Sequence, residues 1–219
     1  MFRDRVEAGR ELAELVATRL GDPPRSLGVA DALVLGLPRG GVPVAALVAQ
    51  ALGVPLDVLV VRKIGAPWQP ELALGAVGEC GVVVLNDALV TASGVAQDEL
   101  DALIRKASDE VQQIVAELRP AAGPPDLSDR MVIVVEDGVA TGATARAAAR
   151  ILRTRRGSSP VLFAAPVGAP STCAALRSCF DDVICLQTPR RFGSVGEHYE
   201  QFGQVSIGEV RRLLGVPPV

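Results

Sequence analysis

Residues 132–144 read Val-Ile-Val-Val-Glu-Asp-Gly-Val-Ala-Thr-Gly-Ala-Thr. Four consecutive aliphatic residues predict a strand buried on both faces. They run into two adjacent acids, then a turn rich in Gly and Thr. An Ala-rich helix with a basic last turn is expected to follow, over 143–155. Strand, acid pair, flexible turn and helix, in that order, predict an α/β layer structure. In open sheets of that kind ligands bind beyond the carboxyl ends of the strands.

The rest of the chain repeats the alternation. Val6, Leu12, Ala13, Leu15, Val16 and Leu20 give one broad apolar face to a helix over 3–20, which Gly21, Pro23 and Pro24 stop. A short apolar run at 32–37 predicts the first strand, 38–41 a loop and 42–52 a helix. A second strand is expected over 56–61, ending at Arg62-Lys63. A stretch with Gly and Pro comes next over 65–79, then a short strand at 82–85. Leu100, Leu103, Ile104, Ala107, Val111, Ile114, Val115 and Leu118 step by threes and fours, which predicts a helix over 97–118. Residues 121–126 break it. Strands at 131–135, 161–166 and 183–186 alternate with helices at 143–155 and 171–178, and a short helix is expected near 207–214. The pattern predicts a doubly wound, mostly parallel sheet with helices on both faces. The chain reads as one domain, 1–219.

Composition narrows the partners. The chain is 49% hydrophobic but only 3% aromatic, so aliphatic side chains and Ala must build the core. A net charge of -3 gives no basic face for nucleic acid. No apolar run reaches the roughly 20 residues needed to cross a bilayer. The first residues carry acids and no cleavable signal pattern. These features predict a cytoplasmic protein with small-molecule partners, no nucleic acid and no membrane, and leave room for a homo-oligomer. Cys80, Cys173, Cys179 and Cys185 form no CxxC pair, and His198 is the one histidine, so a zinc site is not expected. The cysteines read as small apolar thiols and His198 as a surface or capping residue.

Three post-strand segments carry candidate chemistry. A helix N-terminus offers free N–H groups and partial positive charge to a phosphate. At 140–144, Thr141 and Thr144 add hydroxyls and Gly142 permits close approach. The adjacent carboxylates of Glu136 and Asp137 need a different task, and two ribose hydroxyls would supply the donors they accept. Helix capping alone does not require two acids before the loop. After the first strand, Gly36-Leu37-Pro38-Arg39-Gly40-Gly41 can present consecutive amides and a guanidinium to an anion, although a tight turn would carry the same glycines. Arg62 and Lys63 could neutralise an anionic leaving group or form a solvated strand end.

Residues 132–144 resemble the 13-residue motif for 5-phosphoribosyl-1-pyrophosphate in type I phosphoribosyltransferases. LPRGGVPVA, VVRKIGAP, PELALGAVGE and VEDGVATGAT are similar to a bacterial group of that family with no assigned acceptor. The resemblance covers roughly residues 30–190. It implies that Glu136 and Asp137 hold the ribose hydroxyls and that Ala140, Thr141, Gly142, Ala143 and Thr144 hold the 5-phosphate. Arg39, Gly40, Gly41, Arg62 and Lys63 would face pyrophosphate, with Glu136, Asp137, Arg39 and Lys63 as the catalytic set. Mg²⁺ would arrive on the substrate, with no direct protein ligand. Gly138 and Ala140 depart from the family pattern, which usually has an aliphatic residue and Thr there.

The resemblance also implies a non-proline cis peptide between Pro38 and Arg39, and an antiparallel strand near 82–85. A mobile closing loop would span 65–86, with Trp68, Glu71 and Glu79 in it and Glu71 a candidate general base. A small hood at 189–219 would receive the acceptor, with Phe192 and Tyr199 contacting it. Those rings, and Phe202, would equally close the core beneath a C-terminal helix. The activity implied is transfer of a 5-phosphoribosyl group to a nitrogenous acceptor, such as a nucleobase, as in nucleotide salvage. The alternative is a non-catalytic ribose-phosphate sensor on the same fold. No strand runs into a G-x-G-x-x-G turn, which argues against a nicotinamide dehydrogenase, and no Walker A sequence marks an ATPase.

Overall fold

The computed structural model describes residues 1–21, 31–119, 123–155 and 159–217, and the side chains of these except Pro70 and Glu71. The elements are α1 (Arg5–Leu20), β1 (Leu33–Gly36), α2 (Gly41–Leu52), β2 (Leu56–Val58), β3 (Val61–Ala66), β4 (Gln69–Gly78) and β5 (Val83–Leu85). They continue with α3 (Asp87–Ser93), α4 (Gln97–Leu118), β6 (Val132–Val135), α5 (Ala143–Arg155), β7 (Val161–Val167), α6 (Pro170–Leu176), β8 (Asp182–Gln187) and α7 (Ile207–Leu213).

Five strands form a parallel sheet in the order β2-β1-β6-β7-β8. Alternate residues supply its two faces. Val34, Ile133 and Val135 meet Leu12, Val16, Val44 and Val48 of α1 and α2. Leu33, Leu35, Val132 and Val134 meet Ala148, Ile151 and Leu152 of α5. Burial on both sides explains the unbroken aliphatic runs. Among the described residues no helix is long and apolar enough to cross a membrane.

The run at 56–61 is not one strand. β2 ends at Val58, and the chain turns out of the parallel sheet into an antiparallel sheet of β3, β4 and β5. Leu59 still donates to the Gly36 carbonyl at 3.1 Å. At the bend, Val60 N–H donates to Glu79 Oε1 at 2.9 Å and Arg119 donates to the Val58 carbonyl at 3.4 Å. Arg119 also pairs with Glu79 and, at 3.3 Å, with Asp57. Glu79 is 2% exposed and Arg119 6%. Two charged side chains thus satisfy a backbone that an apolar run cannot signal.

The expected loop at 65–86 is largely β-structure. Gly75 and Gly78 serve close approach, whereas Gly81 takes a turn conformation at φ 71°. A Cβ at Gly75 would meet the Val84 carbonyl oxygen at 2.6 Å, and one at Gly78 would meet Ile151 Cγ2 at 2.5 Å. β5 runs antiparallel to β4, as the resemblance implies, but within this second sheet. Arg62 and Lys63 therefore lie inside β3 rather than at the end of the second parallel strand. The Glu71 side chain lies outside those described.

α1 begins at Arg5 rather than at residue 3, because Asp4 is its N-cap and accepts from the N–H groups of Val6 and Glu7, each at 2.9 Å. The preceding residues bind the C-terminal segment. Phe2 N–H donates to the His198 carbonyl at 2.8 Å, and Glu200 N–H donates to that of Phe2 at 2.8 Å.

Candidate functional site

The sheet order reverses between β1 and β6. β2 lies outside β1, while β7 and β8 continue beyond β6. Gly36 and Val135 are the last residues paired between these strands. The loops after them, 37–40 and 136–142, therefore leave the sheet side by side at a topological switch point.

The first loop is short and tightly held. Leu37 N–H donates to the Val135 carbonyl at 2.9 Å, and Gly41 N–H to that of Leu37 at 3.0 Å. The Pro38–Arg39 peptide is cis, as the resemblance implies. Among the described residues, the N–H groups of Arg39 and Gly40 have no protein acceptor, whereas that of Gly41 is used within the turn. A Cβ at Gly41 would stand 2.5 Å from the Val135 carbonyl oxygen. No side chain fits there.

The second loop starts with Glu136 and Asp137. Asp137 Oδ2 accepts from Arg5 Nε at 2.8 Å, and both side chains are largely buried. Burial pushes the Asp137 carboxyl above the usual carboxylate range, and the Arg5 guanidinium opposes that rise. Glu136 has no side-chain hydrogen bond among the described residues. Burial, and then the neighbouring Asp137 charge, push its pKa up to about 8.

Beyond the acids, the loop carbonyls are tied back. Thr172 Oγ1 donates to Ala140 O at 2.6 Å, and Arg146 to Thr141 O at 2.8 Å. Gly142 adopts φ 69°, a conformation that favours glycine. Among the described residues the N–H groups of Ala140, Thr141 and Gly142 have no protein acceptor, as befits a helix N-terminus. Residues 136–144 line one hollow together with Val195 and Phe202. Arg5, Arg39, Gly40, Asp137 and residues 202–205 line a second. Asp137 and Phe202 are common to both. The Gly138 departure has a packing reason: a Cβ there would stand 2.4 Å from Val195 Cγ1.

The structure thus brings Glu136, Asp137, Arg39, Gly40 and residues 140–144 to one cleft. Arg62 and Lys63 line neither hollow. Arg62 pairs with Glu110 of α4 at 3.3 Å, and Lys63 lines a separate groove between β3 and α4. Tyr199 is buried, and its hydroxyl donates to the Asp137 carbonyl at 2.5 Å. Phe192 stacks on His198 with centroids 5.1 Å apart. The exposed ring at the cleft is Phe202, with the Arg5 guanidinium carbon 4.0 Å from its centroid.

Arg5 was not legible from motif or spacing. One signal was available: a cation in the first turn of a helix opposes the macrodipole and calls for an acid nearby.

These features define an α/β fold with an amide-lined cleft at its switch point, and the chain belongs to the family whose model is described as "Phosphoribosyl transferase domain", matched over residues 4–201. Two relatives from Mycobacterium tuberculosis, strains H37Rv and CDC 1551, each carry the name "Putative phosphoribosyl transferase". Each is 45% identical over 214 residues, or 98% of this chain. The chain spans 46% of the length of these relatives. The crystal structure of TT1426 from Thermus thermophilus matches with a TM-score of 0.85 and 39% identity, over 97% of both chains. AQ2163 from Aquifex aeolicus, 14% identical, shares the fold with a TM-score of 0.51 over 88% of this chain and 78% of that one. The five-stranded parallel sheet with flanking helices is the type I phosphoribosyltransferase fold.

Proposed function

We propose that the protein transfers the 5-phosphoribosyl group from 5-phosphoribosyl-1-pyrophosphate to a nitrogenous acceptor and releases pyrophosphate. One observation carries this reading: Asp137 lines both hollows, so a ribose held there would have an amide-rich loop on either side. Glu136 and Asp137 would accept hydrogen bonds from the ribose hydroxyls. The amides of residues 140–142, the start of α5 at Ala143 and the hydroxyls of Thr141 and Thr144 suit the 5-phosphate. Arg39 and the amides of Arg39 and Gly40 suit pyrophosphate.

In the transfer, an acceptor nitrogen would attack the anomeric carbon while the bond from that carbon to the pyrophosphate oxygen breaks, its electron pair leaving with pyrophosphate. The Asp137 carboxylate, joined by Glu136 once it ionises near pH 8, would favour positive charge on the ribose ring, and Arg39 would favour negative charge on the leaving group. Arg62 and Lys63 would join only through movement of the β3–β4 hairpin. The hood would be the segment from 189 onward. Phe202, rather than buried Tyr199, offers a ring to an acceptor there, with Tyr199 stacked behind it at 4.9 Å and Phe192 set apart on His198. Among the described residues there is no cluster of three or more His, Cys, Asp or Glu side chains for a metal. Mg²⁺ fits as a passenger on the pyrophosphate oxygens, where it would neutralise charge on the leaving group.

A screen for pyrophosphate release from 5-phosphoribosyl-1-pyrophosphate, across nucleobases and small amines with Mg²⁺, tests this reading. Release with one acceptor class is expected. Tight binding with no release for any acceptor would instead identify a sensor.

A further inference from the structure

We propose that Arg5 is a positioning residue for this transfer: its guanidinium aims the Asp137 carboxylate into the cleft. The inference rests on the reading of Glu136 and Asp137 as the ribose acids.

One guanidinium makes three contacts that fix it. Nε donates to Asp137 Oδ2 at 2.8 Å, Nη1 donates to the Gly203 carbonyl at 2.7 Å, and the carbon between them lies over the Phe202 ring. The Arg5 and Asp137 side chains are 13% and 15% exposed. A pair this enclosed differs from a solvated surface bridge, because either charge left alone would be costly. Arg5 also stands at the first position of α1, where the helix dipole disfavours a cation. Asp137 offsets that penalty.

Oδ2 is held from two sides. Arg5 Nε lies on one, and the backbone of Gly40 lies so close on the other that a Cβ there would meet Oδ2 at 2.0 Å. Oδ1 is left to accept from a ribose hydroxyl. The titratable and charged groups around Asp137 are Arg5 from α1, Glu136 beside it, Arg39 from the loop after β1, and the Tyr199 hydroxyl on its carbonyl. Burial raises the Asp137 pKa and Arg5 lowers it. Removing Arg5 leaves burial opposed only by the backbone hydrogen bond of Asp137 itself.

The test compares wild type, Arg5→Met and Arg5→Lys. The Asp137 carboxyl is titrated by carbon NMR, assigned with Asp137→Asn, and Mg²⁺-5-phosphoribosyl-1-pyrophosphate affinity is measured by calorimetry across pH. In Arg5→Met the Asp137 midpoint is expected to move upward, and in Arg5→Lys to return partway. Affinity is expected to fall about tenfold or more near neutral pH in Arg5→Met. The deficit should shrink as pH rises and the carboxyl ionises. A midpoint that is the same in wild type and Arg5→Met overturns the inference. A loss equal in Met and Lys variants and flat with pH also overturns it, since that marks a merely structural residue. Wild type that fails to bind the substrate would sink the functional reading instead, while the titration would still decide whether Arg5 governs Asp137.

Discussion

A Cβ placed on Gly40 would stand 2.0 Å from Oδ2 of Asp137. The loop after β1 and the acid after β6 are fitted against one another with no room for a side chain. Gly40 is thus part of how Asp137 is held, as well as a source of a free amide.

Replacing either glycine of this loop separates two kinds of contact. In Gly40→Ala the new methyl meets a carboxylate, which can move at the expense of its bond to Arg5. In Gly41→Ala it meets the Val135 carbonyl oxygen, which belongs to the central sheet. Gly40→Ala is expected to fold, with a loss of about 1–3 kcal/mol, and Gly41→Ala to lose more. Urea unfolding measures both. Equal stability of wild type and Gly41→Ala would contradict the packing described.

Glu136 gives a pH dependence with a definite sign. Its pKa is about 8 in the folded chain against an ordinary 4.5. Between those values the folded chain holds a proton that the unfolded chain releases, so this group makes stability fall as pH rises. The slope for one group is at most about 1.4 kcal/mol per pH unit. Glu136→Gln removes this contribution. Urea unfolding from about pH 5 to about pH 9 should show a flatter profile for the variant, and parallel profiles would place the Glu136 carboxyl in solvent.

The Glu79–Arg119 pair anchors the bend between the two sheets. Glu79→Ala leaves the buried Arg119 guanidinium with Asp57 as its one remaining carboxylate among the described residues and removes the acceptor of Val60 N–H. The expected cost is about 3–5 kcal/mol, read by chemical denaturation. A cost below about 1 kcal/mol, typical of a solvated surface pair, would show that the pair is not buried as described.

The parallel strands and long helices were legible because each states its own period. Helix 97–118 matches α4, and helix 143–155 matches α5, residue for residue. The bend after Val58 was not legible, since Leu59, Val60 and Val61 are buried on either side of it and read as one run. β4 was hidden because Gly75 and Gly78 look like breakers in sequence, yet they allow close approach in space. The bend after Val58 sets Arg62 and Lys63 inside β3 rather than at the end of a parallel strand. Within the site, Glu136, Asp137 and the two loops could be read from the residues just past the end of each strand. Arg5 lies 132 residues from Asp137, so only the fold could bring it there.

The central claim is that Asp137 holds the ribose of 5-phosphoribosyl-1-pyrophosphate. Calorimetric titration of wild type and Asp137→Asn with this compound and Mg²⁺ tests it most directly. Wild type is expected to bind, and Asp137→Asn to keep its fold yet bind about 10- to 100-fold more weakly, the worth of a hydrogen bond to a charged acceptor. Equal affinity of the two proteins, or no binding to wild type, would contradict the account.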